Sequence, residues 1–246
     1  MIEPREEKTK MNEVSQNLYE KLNSMQKKAV MHTEGPLLIL AGAGSGKTTV
    51  LVNRIAYLLT QKNVRPHNIL AITFTNKAAN EMKSRVEEIF GEGAGDMWIS
   101  TFHSMCVKIL RRYITRIGYD SSFVIYDSAD SQTVIKDCLK QYNLSDTNFK
   151  PRSVLAEISN AKDDLIDPQE FEKMYADDFR MSKISKLYAT YQNILKANNA
   201  LDFDDIIVKT IQLFEENPDV LEYYQKKFHY IMVDEYQDTN NAQYRL

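Results

Sequence analysis

Residues 36–49, "PLLILAGAGSGKTT", decide the fold. An apolar run from Leu37 to Leu40 enters a loop with Gly42, Gly44 and Gly46 at alternate positions, and Lys47 and Thr48 open an amphipathic stretch carried by Val52, Ile55 and Leu59. Strand, glycine-rich turn and helix start, in that order, suit a bound phosphate. The glycines let backbone N–H groups turn inward, and the helix adds the positive end of its dipole. Lys47 is then a point charge for the β- and γ-phosphates, and the Thr48 hydroxyl a magnesium ligand. Ala41 stands where the usual pattern has glycine, a departure its small side chain tolerates. The loop reads Ala41, Gly42, Ala43, Gly44, Ser45, Gly46, Lys47 and Thr48, with Thr49 next.

Working outward, "NILAITF" (68–74) and "MWISTF" (97–102) are further continuous apolar runs. Such runs fit parallel strands covered on both faces, as does "PLLILAG" (36–42). Between the two, Ala79, Met82, Val86 and Ile89 recur at helical spacing until "FGEGAGD". Strands alternating with helices predict an α/β fold with a parallel sheet and helices on both faces. From about 104 to 200 helical periodicity takes over, in "CVKILRRYITRI", "SQTVIKDCLKQY", "PRSVLAEISNAK" and "KISKLYATYQNILKA". Strand character returns at Tyr230–Val233. The organisation expected is a flexible tail (1–16), an α/β domain made of 17–105 and 201–246, and an all-helical inserted subdomain (106–200).

The composition, 43% hydrophobic and 26% charged, is that of an ordinary globular chain. No apolar run approaches a membrane span, and "MIEPREEKTKMNEVSQ" lacks the apolar core of a signal peptide. Cys106 and Cys138 have no metal or redox spacing, so reduced thiols in a cytoplasmic protein are expected. Thirty-one basic against 34 acidic residues give a net charge of −3, which excludes a globally basic nucleic-acid coat and leaves room for a local basic groove.

At the far end, "YIMVDEYQD" (230–238) places Asp234 and Glu235 directly after an apolar strand. Such a pair is more often a solvated strand end. Beside a phosphate loop the balance reverses, because that loop needs an acidic wall to hold magnesium. Asp234 is the expected magnesium ligand and Glu235 the base that polarises the attacking water.

Six stretches, in this order and spacing, resemble superfamily 1 DNA helicases of the UvrD/Rep/PcrA type. They are "LNSMQKKAV" (22–30), "AGAGSGKT" (41–48), "ITFTNKAANEMKSR" (72–85), "ISTFHS" (99–104), "LDFDDII" (201–207) and "VDEYQDTNNAQ" (233–243). The resemblance implies a RecA-like ATP-binding domain with a helical insertion, in an enzyme that uses ATP and Mg2+ to move 3′-to-5′ along single-stranded DNA and to open duplexes at single/double-strand junctions in repair or replication. A translocase that strips nucleoprotein complexes without unwinding, or a chain that binds nucleotide without turnover, are the other readings. By the resemblance Gln26 reads adenine and Gln237 senses the γ-phosphate. Thr49 departs from the arginine of many relatives. Single-stranded DNA is placed on Phe74, Thr75, Asn76, Phe102, His103 and Ser104. Phe74 ends a strand at the carboxyl edge of the sheet, where ligands bind, and an aromatic there can stack a base. As a lone residue it reads more often as core. In "KILRRYITR", Arg111 and Arg112, with Lys108 and Arg116, read as a phosphate-contacting face or a merely solvated one. Asp202 reads as a helix cap.

Relatives of that type continue into a second RecA-like domain that carries the charge-stabilising arginines and into a strand beside the phosphate-loop strand. The expectations here are negligible turnover and no unwinding by these 246 residues, with compensation in the sheet: a widened or split sheet, a disordered 234–246, or a partner chain.

Overall fold

The computed structural model describes residues 20–42, 44–90 and 95–246; the expected tail, Ala43 and most of the glycine-rich turn near 91–96 lie outside them. Along the chain, α1 (Ser24–Met31) starts on a capping box between Asn23 and Gln26. Next come α2 (Lys47–Thr60), β1 (Ile69–Thr73), α3 (Asn76–Phe90), β2 (Trp98–Thr101) and α4 (Phe102–Tyr113). The strand β3 (Val124–Ile125) precedes four helices, α5 (Ser128–Gln141), α6 (Pro151–Asp163), α7 (Pro168–Met174) and α8 (Phe179–Ala197). Then follow β4 (Ala200–Leu201), α9 (Phe203–Glu216), α10 (Pro218–Lys227), β5 (Tyr230–Val233) and α11 (Asn241–Arg245).

Contacts group these elements into two units. One takes the described residues up to Phe102 together with Tyr223–Gln237, and the other takes His103–Glu222 with Asp238–Leu246. The first contains a parallel three-stranded sheet of order β2-β1-β5. All five residues of β1 are buried, as its unbroken apolar run requires. Ile55 and Leu58 of α2 and Met82 and Val86 of α3 pack with Ile69, Ala71 and Met232 of the sheet.

The expected strand at 36–42 does not form: residues 36–40 have no strand pairing, and Leu38 and Leu40 are 65% and 86% exposed. A strand exists only through a neighbour's hydrogen bonds. Here β5 pairs with β1 alone and stands at the edge of the sheet, with Ile231 exposed. Ile39 alone turns inward, against Leu22, Val30 and Val50. The sheet is thus incomplete, a continuous set of three strands with no pairing to 36–40, and not the widened or split sheet expected. The 234–246 end is ordered, not disordered, and α11 carries its own capping box from Asn240.

In the second unit α5, α6 and α8 enclose a core of Ile135, Cys138, Val154, Ile158, Leu187 and Tyr191. The insertion is not all-helical. β3 and β4 form a two-stranded parallel ladder, with Tyr126 donating to the Leu201 carbonyl at 2.8 Å. "FVIY" (123–126) is the apolar run that codes for it. The acids of "LDFDDII" are structural: Asp202 caps α9, and the buried Lys162 ammonium lies 2.6 Å from Asp202 and 2.9 Å from Asp205. Tyr191 donates to Asp202 at 2.9 Å and Gln192 to Asp205 at 3.1 Å. A buried ammonium is tolerable only with such partners, and removing one of them costs about 3–5 kcal/mol.

Candidate nucleotide and nucleic-acid site

The loop before α2 is shaped by two glycines in the left-handed region, Gly44 at φ +71° and Gly46 at φ +84°. Gly46 is also closely approached, since an added β-carbon would sit 3.1 Å from Gln26 Nε2. Ser45 folds back on Gly42, its hydroxyl donating to that carbonyl at 2.7 Å and its N–H at 3.3 Å. Gln26 holds the loop from outside, donating to the Ser45 carbonyl at 3.1 Å while its Oε1 accepts from the Asn23 N–H. Both ends of the amide expected to read adenine are therefore engaged within the chain. The Thr49 carbonyl accepts from Asn53.

Strand β5 delivers the acidic wall. The Asp234 N–H donates to the Ile72 carbonyl at 2.9 Å, extending the ladder by one bond and fixing Asp234 at the carboxyl edge of the sheet. Asp234 is buried, and burial is the largest influence raising its pKa, with the neighbouring Thr48 hydroxyl acting in the opposite sense. Glu235 takes a left-handed backbone, φ +50°. Its Oε2 lies 3.4 Å from Lys47 Nζ and accepts from Gln237 Nε2 at 2.6 Å. The Gln237 hydrogen bond, and then the Lys47 charge, hold this carboxyl below its ordinary range. Residues nearly 190 positions apart in sequence thus converge: a cation on Lys47, a hydroxyl on Thr48, and two carboxylates.

Thr48 and Asp234 offer adjacent hard oxygens, which fits magnesium, an ion held by one or two carboxylates together with substrate phosphates. Among the described residues no group of three or more His, Cys, Asp and Glu forms a metal cage.

Of the residues predicted to meet DNA, Phe74 is half-buried beyond the end of β1, its ring edge-on to Phe102 at 5.8 Å. Phe102 itself is buried and backs Phe74. Thr75 caps α3 by accepting from the Ala78 N–H, and Asn76 is exposed at the helix start. His103, in the other unit, stacks on Phe203 at 3.7 Å, and burial lowers its pKa to about 4. Ser104 follows it, half-buried on α4. Arg111 is engaged structurally: it donates to the Ser121 and Phe123 carbonyls at 2.7 Å each and lies over the Phe123 ring. Arg112 lies 5.1 Å from the Tyr113 ring centroid. Phe203, 59% exposed and lining a cleft of about 140 Å³ with His103 and Asn240, went unpredicted. Its sequence position gave no sign of that exposure, because Phe203 stands at helical spacing from the buried Ile206, Ile207 and Thr210. Lys162 had no local signal either, since its partners lie forty residues away.

The chain matches the UvrD/REP helicase N-terminal domain over residues 22–246. It is 59% identical over 236 residues to "ATP-dependent DNA helicase PcrA" of Bacillus subtilis, covering 96% of this chain and 32% of that protein. The proteins of the same name from Staphylococcus epidermidis and Staphylococcus aureus are 58% and 56% identical, covering 93% and 92% of this chain and 31% of each relative. The chain thus spans about a third of the length of the curated relatives it matches.

Proposed function

The chain belongs to the UvrD/REP helicase family, and on that premise we propose that it is the ATP-binding N-terminal part of a cytoplasmic DNA helicase. In this reading the whole protein couples ATP hydrolysis to 3′-to-5′ movement on single-stranded DNA and to duplex opening at junctions. The observation that carries it is the convergence of Lys47, Thr48, Asp234 and Glu235 on one loop.

Each residue has a role that follows from its chemistry. Backbone N–H groups of the glycine-rich loop and the N-terminus of α2 would receive phosphate oxygens, and Lys47 would neutralise the terminal phosphates. Thr48 and Asp234 would hold a magnesium ion, which would offset the charge of the phosphates. Glu235 accepts a proton from the attacking water, and its lowered pKa keeps it ionised for that task. Gln26 faces the loop where adenine would lie, and using it there requires release of the Ser45 carbonyl. Within the first unit Phe74 would stack a base, with Thr75 and Asn76 reaching the backbone of the strand; within the second, His103, Ser104 and Arg112 are separately proposed as nucleic-acid contacts. Turnover by these 246 residues alone is negligible in this reading, because a charge-stabilising arginine from a second domain is worth about 10³–10⁵ in rate.

Calorimetry with Mg-ADP tests the site. The parent should bind measurably, and Lys47→Ala should abolish binding, since the ammonium is the main positive charge facing the phosphates. Equal affinity of the two proteins would refute the assignment.

A further inference from the structure

Asp234 and Glu235 are consecutive, and in extended backbone consecutive side chains point to opposite faces. Here both reach the same loop, Asp234 at Thr48 and Glu235 at Lys47. The left-handed turn at Glu235, φ +50°, brings them to one side, a conformation disfavoured for a residue with a β-carbon and retained only when neighbours enforce it. Gln237 is the neighbour in place to do so. Its amide donates to Glu235 Oε2 at 2.6 Å, the same oxygen that faces Lys47 Nζ at 3.4 Å.

We propose that Gln237 is a positioning residue that holds the Glu235 carboxylate against Lys47, so that an incoming phosphate competes with this carboxylate for the ammonium. The contact makes phosphate binding and release of the base one event: phosphate takes Lys47, and Glu235 is freed to turn toward water. The proposal rests on reading 41–48 as a phosphate loop. The ion pair is partly exposed, at 28% and 41%, and pairs of that kind are weak, so the competition is modest.

Titration of the 246-residue chain with ADP, and separately with inorganic pyrophosphate, each without magnesium, tests this by calorimetry. Gln237→Ala should bind both about two- to fivefold more tightly than the parent, and Glu235→Gln at least as tightly as that. Gln237→Ala changes no charge, and a damaged fold does not raise affinity, so a gain there reports release of Lys47. Gln237→Met, which keeps the side-chain length without the donor, should reproduce it and serves in its place should the alanine variant unfold. Unchanged or weaker binding by the Gln237 variants overturns the proposal. A gain confined to Glu235→Gln also overturns it, because loss of one negative charge then accounts for the effect. Lys47→Ala separates the two levels: retained affinity there refutes the phosphate loop itself, whereas its loss with no gain at Gln237 refutes only the competition.

Discussion

His103 shows how packing sets the charge of a side chain. Its ring lies flat on Phe203 and is partly buried, which keeps it neutral, with a pKa near 4 against 6.5 in an unfolded chain. A neutral imidazole adds no desolvation penalty to the stack. The linkage has a definite sign. As pH falls, the unfolded chain takes up this proton first, so the stability His103 contributes is whole above about 6.5 and is lost progressively toward pH 4. Urea midpoints measured from pH 7 to 4.5 should therefore fall more steeply for the parent than for His103→Gln. Parallel curves would show that this imidazole is not what titrates.

Among the elements, segment 36–40 and strand β1 are the instructive pair. Both are unbroken apolar runs with the same composition signal. Only β1 has neighbours on both sides, β2 and β5, and only β1 is a strand. Backbone amides of Leu38 and Leu40 should exchange with solvent deuterium at nearly unprotected rates, while those of Leu70, Ala71 and Ile72 exchange only on global opening. Comparable protection in the two segments would mean that 36–40 pairs in solution. Among the described residues β5 pairs on one side only, and its Ile231 is exposed.

At the scale of all 246 residues, a net charge of −3 means that the nucleic-acid binding proposed above has to come from local contacts, not from the overall field. Phe74 is half-buried and backed by Phe102, Arg112 is exposed, and Arg111 is occupied within its own unit; the first two are the groups proposed for that contact. In the full-length protein, Phe74→Ala should weaken binding to oligothymidylate by about 1–3 kcal/mol. Arg112→Gln should instead reduce the slope of log affinity against log salt by about one. Anisotropy titrations at several salt concentrations check both, and a folded Phe74→Ala protein with parental affinity would assign that ring to the core.

By itself the sequence determined whatever is encoded within a few residues: the glycine-rich turn into a helix at Lys47, the helix cap at Asp202, the helical periods of the insertion, and Asp234 and Glu235 behind a strand. These signals are local because glycine conformations, caps and amphipathic spacing depend only on near neighbours. The tertiary structure alone decided what depends on distant partners. It left 36–40 unpaired, since a strand's hydrogen bonds belong to another segment. It joined Val124–Ile125 to Ala200–Leu201 as a ladder and buried Lys162 between two aspartates forty residues on. It also set Glu235 and Gln237 against Lys47, an arrangement fixed by a backbone turn of φ +50° that no residue type in "VDEYQD" announces.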